Sequence, residues 1–456
     1  MSIKGDNASG VTHSERYLAK LCEHSFLSLW SHPNLYRTPA KELADLVVVF
    51  GNRVVIFSDK NCHFDENSSH GWSRWYRRSV IESAQQLFRA EGWIRKHPDR
   101  IYLDAKCEQP FPLQLPSNPR VHLIAVALGA SEACRRHFQG GSGSLVIDMD
   151  ADGREPFRVG DIDNTRSFVH VFDDVSLDLV LRELDTITDF LRYLERKEQY
   201  ARSGMFLGAT GEEDLLACYL VYRNDDGQND FIIPDDGRSV LVGEQWVSYL
   251  QSEEYIQNRD YNRVGYFWDY IIEWIASHAI SGTLITGGER PLSIHEEELR
   301  ALAGEPRHTR RRLSVILRDA FAKAERQAFF ARTIISSDLS RYSYIFVILE
   351  RSSELTEDQY REARQQVLHA YCGSVKSRNP KLKKVVGLAF GPFRSDSSID
   401  SIVIDFDTWT ADDIARAGAC IRMLGWSGED RFCTRSLDEI EHSFGLCQTK
   451  TDEEDT

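Results

Sequence analysis

The chain has 456 residues, 42% of them hydrophobic and 27% charged, and 55 Lys and Arg against 70 Asp and Glu give a net charge of −15. That length exceeds one ordinary core and implies two or three domains. The acidic balance excludes a protein coated along its length in nucleic acid, and no run reaches the roughly 18 uninterrupted apolar residues that a bilayer-spanning helix needs.

The opening stretch, MSIKGDNASGVTHSERYLAK, lacks the apolar core of a signal peptide, which points to a cytoplasmic protein. The nine cysteines stand singly, with no Cys-x-x-Cys pair. Cys22 near His24 and Cys62 beside His63 do not have zinc-site spacing. Side chains of adjacent residues on an extended chain point apart, which argues against a Cys62/His63 hydrolase.

A first helix is expected from His13 to Trp30, with Thr12 and Glu15 as a capping box and His32-Pro33 as its stop. A hairpin follows from Leu43 to Lys60. A long helix from Trp72 to Lys96 carries the apolar stripe Val80, Ala84, Leu87 and Phe88. Arg100 to Asp104 and Val121 to Ala130 read as strands. The run GGSGS, Gly140 to Ser144, lacks the Gly-Lys-Ser/Thr of a phosphate-binding loop and reads as a linker.

Beyond it, GSLVIDMD and SFVHVFDD read as strands. A helix starting at Ser176 keeps Leu177, Val180, Leu181, Leu184, Ile187, Leu191 and Leu194 at helical spacing. An aromatic-rich helix ends near Gly282 and a basic helix covers Arg310 to Arg332. The last region alternates strand, helix, strand, strand, helix, with helix starts at Thr356 and Thr410. The expected division is 1–139, 145–334, 335–448 and an acidic tail, 449–456. The fold class is mixed α/β throughout.

The hairpin carries the chemistry. A two-residue turn at Gly51-Asn52 pairs Phe50 with Arg53, Val47 with Ile56 and Asp45 with Ser58. Alternation places Asp45, Ser58 and Lys60 on one face and Asp59 on the other, unless a bulge re-aims it. A buried carboxylate beside a lysine needs a partner or a metal.

The order of helix with Glu23, strand with Asp45, strand ending in Lys60, helix and strand resembles the restriction-endonuclease-like superfamily, the PD-(D/E)xK nucleases, over about residues 12–130. The resemblance implies a sandwich with helices on a mixed sheet and cleavage of DNA or RNA dependent on Mg²⁺ or Mn²⁺. In that family an aspartate and a following acid hold the metal, and a lysine two residues beyond the second acid orients the attacking water. A further glutamate often comes from the first helix. By that resemblance Asp45 is the metal aspartate, Lys60 the lysine and Glu23 the helix glutamate. The sequence departs from the pattern at Ser58, a weak neutral ligand where a second acid is expected, and Asp59 compensates as a metal ligand only if the strand bulges. The alternatives are an interior Asp45–Lys60 ion pair and a non-enzymatic assembly or nucleic-acid-binding adaptor on a degenerate nuclease fold.

A polynucleotide has three candidate docking runs, one of them KSRNPKLKK with Lys376, Arg378, Lys381, Lys383 and Lys384. GWSRWYRR interleaves Trp75 with Arg74, Arg77 and Arg78, a mixture of phosphate-binding and base-stacking groups. RHTRRRLSVILR clusters Arg310, Arg311 and Arg312. The expectation is a metal-dependent nuclease domain acting on nucleic acid, with no membrane association. The downstream domains would recognise, regulate, or hold a protein partner or a second copy of the chain, a design that suits a bacterial antiviral defence effector.

Overall fold

The structure is a computed structural model and describes residues 13–26, 29–113, 115–225, 227–234, 236–281, 292–325, 327–336, 338, 341–392, 398–423 and 433–436. The protein is mixed α/β and divides into two compact units, Met1–Asp260 and Tyr261–Thr456. No helix among the described residues is long and apolar enough to cross a membrane.

The first unit opens with α1 (His13–Phe26), β1 (Ser31–Thr38), β2 (Lys41–Phe50) and β3 (Arg53–Asn61). Next come α2 (Gly71–Tyr76), a π-helical turn (Arg77–Ile81), α3 (Glu82–Lys96), β4 (Arg120–Leu128) and α4 (Ser131–His137). Then follow β5 (Val146–Asp148), β6 (Arg158–Val159), β7 (Val169–Phe172), α5 (Ser176–Glu183) and α6 (Ile187–Ala201). The unit continues with β8 (Phe206–Ala209), α7 (Glu212–Val221), β9 (Val240–Val242) and α8 (Gln245–Leu250), and the boundary between units falls within α9 (Glu253–Ser281).

The central sheet has the order β1-β2-β3-β4-β7. Its first three strands are antiparallel, and β3, β4 and β7 are parallel. Gly51, at φ 59°, supplies the left-handed first position of the hairpin turn, and the register runs from Phe50↔Arg53 to Leu46↔Phe57 as the spacing predicts. Two layers cover the sheet. The Ser58 face meets Gln86 of α3, and the opposite face, carrying His122, His170 and Phe172, meets α6, whose Lys197 lies over the Phe172 ring. Burial on both faces explains the unbroken Val/Ile/Leu runs of β2, β3 and β4.

Several expectations are corrected here. The first helix stops at Phe26, and the chain enters β1, an edge strand where Pro33 costs no ladder hydrogen bond. Arg100 to Asp104 is not a strand; Tyr102 makes isolated bridges to Tyr36 and Pro110. The Ser176 helix breaks in two at Leu184 to Thr186, where Thr186 caps α6 by accepting the Asp189 N–H. Gly140 to Ser144 is no domain boundary. Ser142 donates to Glu213, Ser144 donates to Asp173 at 3.1 Å, and β7 beyond the loop completes the central sheet. Thr12 and the acidic tail lie outside the described residues.

The second unit contains α10 (Leu292–Ala303), α11 (Arg307–Ala324), β10 (Phe329–Ile335), β11 (Ser343–Leu349) and α12 (Glu357–Arg378). It ends with β12 (Lys384–Phe390), β13 (Ile399–Asp405), α13 (Ala411–Met423) and β14 (Cys433–Ser436). Its sheet has the order β13-β12-β11-β10-β14. Thr356 and Gln359 form the expected capping box at the start of α12. The basic helix ends at Ala324, because the aromatic and β-branched run FFARTII forms β10 instead. A fully buried pair, Arg364 Nε to Asp400 at 2.5 Å, ties α12 to β13.

One buried ion pair joins α6 to α7. Lys197 pairs with Glu212, both nearly inaccessible, and Tyr193 donates to the same carboxylate at 2.6 Å. Lys197→Met should therefore cost roughly 3–5 kcal/mol in urea denaturation, since it strands a buried carboxylate. Lys197→Met with Glu212→Leu should recover most of that loss, and a double variant as unstable as the single one would refute the pairing.

Candidate functional site

Asp45 stands where the β2–β3 ladder ends. Its Oδ2 accepts the backbone N–H of Asp59 at 2.6 Å, so the carboxylate closes the strand end in place of a carbonyl. The β3–β4 ladder continues without irregularity through Asp59↔Val126 and Lys60↔Ala127. There is thus no bulge at Ser58 to Lys60, and alternation is kept. Ser58, fully buried, donates to Gln86 Oε1 at 3.4 Å on the α3 side. Asp59 turns to the opposite side, where Ser14 and Glu15 in the first turn of α1 approach it.

The electrostatics are those of crowded acids. Burial raises the Asp45 pKa, with Glu15 adding to the rise, while Lys60 and the Asp59 N–H oppose it. Burial pushes Asp59 up to about 6, helped by Asp45 and Glu15 and opposed by the Ser14 hydroxyl. Neither Asp59 oxygen has a hydrogen bond of ordinary geometry. Glu42 is raised too, by burial and then by Asp45 and Glu15. Lys60 is half-buried at the same mouth and lowers all three acids through space. Among the described residues it makes no ion pair within 4.0 Å, so a direct Asp45–Lys60 bridge is not what fills this end of the sheet.

A buried carboxylate without a close cation fits a hard divalent ion in its oxygen chemistry, and Asp45 is the residue that would offer it, since the unbulged strand turns Asp59 to the opposite side. Among the described residues, no group of three or more His, Cys, Asp or Glu is placed to bind a metal. The Glu23 side chain lies outside the described residues; its backbone sits in α1 two turns beyond Glu15, roughly 12 Å along the helix axis. Sequence reasoning missed Ser14, Glu15, Glu42 and Gln86. Glu15 was assigned to a cap, and Gln86 shares the buried side of α3 with Ser83 and Ala90, a polar residue whose place in an apolar stripe was the available signal.

The nucleic-acid candidates separate. Trp75 is 2% exposed, stacks on Trp72 at 5.5 Å and donates to the carbonyls of Cys62 and Leu128 at 3.1 and 3.2 Å. It is a core residue and offers no face to a base. Gly153 is required beside it, since a Cβ there would lie 2.3 Å from the Tyr76 ring while its carbonyl accepts the Trp72 indole N–H. Arg74, Arg77 and Arg78 are exposed, with one long contact from Arg77 to Glu82 at 3.8 Å. Arg310, in the second unit, is 1% exposed and donates to Asp269 at 2.7 Å and to the carbonyls of Glu305 and Ala303. It is part of the core, which removes it from any phosphate-contact set. Arg311 and Arg312 are half-buried.

No protein-family model, no curated protein and no solved structure matches this chain.

Asp59→Asn should stabilise the first unit near pH 8 by about 1–3 kcal/mol, because it removes the cost of ionising a buried acid. The folded pKa lies above the unfolded one, so that cost grows as pH rises from the ordinary value through about 6 and is absent below the ordinary value. The gain over wild type should accordingly fade between pH about 6 and about 4 in denaturant melts. A gain independent of pH would show that Asp59 is not the titrating group.

Proposed function

We propose that the first unit is a metal-dependent phosphodiester hydrolase acting on nucleic acid. The observation that carries this reading is the gathering of Asp45, Asp59 and Lys60 at one end of the β2–β3 hairpin, whose residues 46–49 and 54–57 are buried and apolar, with both carboxylates destabilised in their charged form. The element order of α1, β2 with its aspartate, β3 with its lysine, α3 and β4 supports it, being the order that motivates the resemblance to the PD-(D/E)xK nucleases.

Asp45, already fixed by the Asp59 N–H, would hold Mg²⁺ or Mn²⁺, while Asp59 lies on the other side of the unbulged strand. The ion, when bound, supplies a nucleophilic water and charge neutralisation at the phosphate. Lys60, held in the β3–β4 ladder, positions that water and adds positive charge beside the developing oxyanion. Gln86 fixes Ser58 and lies beside Asp45, holding the first carboxylate in place. Arg74, Arg77 and Arg78 form the exposed basic face that a phosphate backbone would meet. The second unit would recognise a partner or regulate the activity.

A second reading, an adaptor that binds nucleic acid without cutting it, is favoured by Ser58, which occupies the second acid's position and is committed to Gln86. Incubating the protein with plasmid, single-stranded DNA and RNA, with Mg²⁺, Mn²⁺ or EDTA, separates the two. The nuclease reading expects metal-dependent cleavage that Asp45→Asn and Lys60→Ala each reduce at least about a hundredfold, with the double variant no worse than either. Full activity in Lys60→Ala would end the lysine's role. Binding without cleavage under every condition would establish the adaptor. A melting curve of Ser58→Glu adds a readout independent of turnover. The added carboxylate should raise the stabilisation by Mn²⁺ above that of wild type in a metal site, and should destabilise the fold whatever the metal if there is none.

A further inference from the structure

Parallel strands β3, β4 and β7 give the central sheet two chemically distinct ends. The acids and Lys60 lie at the C-terminal end of β3. At the N-terminal end of β4, roughly 25 Å away along the strand, arginines gather instead. Arg95 of α3, Arg120 of β4, Ser167, Glu198 and Gln199 of α6, and Arg202 just after α6 line a cavity of about 410 Å³. That volume is in the range of small-molecule sites, which run from about 300 to 1,000 Å³.

Three guanidinium groups share this cavity with a single carboxylate, Glu198. Each arginine is held by groups outside the lining. Arg95 donates to Glu91 at 2.9 and 3.0 Å and to the Pro119 carbonyl at 3.1 Å. Arg202 donates to Asp161 at 2.7 and 3.1 Å, leaving its Nη1 only a 3.9 Å approach to Glu198. Arg120 is the least committed. Its ion pair with Glu195 is 3.3 Å long, and Arg53 already holds that carboxylate at 3.0 Å. Anchored guanidinium groups with unused N–H donors are costly to order in an unfolded chain and already ordered here, which is the arrangement that favours a ligand rich in acceptor oxygens. Phosphate has that chemistry, and its tetrahedral oxygens can accept from several forks at once. The supporting carboxylates Glu91, Asp161 and Glu195 offset the local charge, so selectivity would come from geometry more than from net field.

We propose that this cavity binds a small phosphate-bearing molecule of about nucleotide size, at a site separate from the Asp45–Lys60 mouth. Nothing in it depends on catalysis at that mouth.

The test is melting and calorimetric titration of the full chain with ATP, pyrophosphate and inorganic phosphate, without divalent cations, against sodium chloride at matched ionic strength. ATP or pyrophosphate should raise the melting temperature saturably, following ligand linkage, and chloride should not. Arg120→Ala should weaken that binding roughly tenfold, the effect of losing one charge-assisted hydrogen bond, while melting like wild type without ligand. Arg202→Lys keeps the charge beside Asp161 and loses the fork, and it should weaken binding as well if Arg120→Ala proves unstable. Asp45→Asn should bind as wild type does, which separates a failure here from a failure of the hydrolase reading. No saturable shift with any of the three phosphates overturns the proposal. So does a shift that both arginine variants retain, or one that a duplex oligonucleotide alone produces.

Discussion

The hairpin of β2 and β3 is covered on both faces, and most of the first unit follows from that. Val47, Val48 and Val49 face Val54, Val55 and Ile56 with almost no exposure, so no charge can be stationed along the strands without large desolvation. Charged groups are confined to the places where the ladder stops. At one end these are Asp45, Asp59 and Lys60; at the other they are Arg53 and Arg120, adjacent in register and sharing Glu195. The same two layers that exclude water from the strands bring Ser14 and Glu15 to one side of Asp59 and Gln86 to the other side of the strand. The acids are therefore crowded because the sheet is dry, and their raised pKa values are the cost of that dryness.

How far this was legible in the sequence depends on the range of the interaction. The hairpin register could be counted outward from Gly51-Asn52, because alternation and a two-residue turn leave no freedom. The capping box at Thr356 was legible for the same reason, spanning only four residues. The strand β1 was not, since His32-Pro33 reads as a helix stop and only the edge position makes Pro33 tolerable in a strand. Glu15 and Glu42 were invisible as members of the acidic cluster, because α1 and β2 come together only in the folded layers. A glycine-serine run suggested a linker, yet Ser142 and Ser144 find carboxylates 71 and 29 residues away and hold the loop within the unit.

Arginine clusters show the same limit. Arg310 and Arg74 are alike in a sequence, each beside other basic residues. Asp269, 41 residues from Arg310, draws that guanidinium into the core, while Arg74, Arg77 and Arg78 remain on a solvated helix face. Trp75 reverses the expectation in the other direction. Aromatic residues between arginines suggested a stacking surface, but its indole N–H is held by two strand-end carbonyls and its ring lies against Trp72. The exposed part of this run is thus carried by its arginines, Trp75 being committed to the core.

The π-helical turn at Arg77–Ile81 has a consequence for the numbering of this helix. One residue more than an α-helix needs is accommodated between α2 and α3 without a break in the chain's direction. Each residue turns an α-helix by about 100°, so the inward phase before the turn differs from the phase after it. Trp72 and Trp75 point inward on the first phase; Leu87, Ala90 and Ile94 do so on the second. A relative that lacks the turn would align with one half or the other, never both, unless a single-residue gap is opened near Ser79. Pattern matching with fixed spacing across this helix would then compare buried positions with exposed ones.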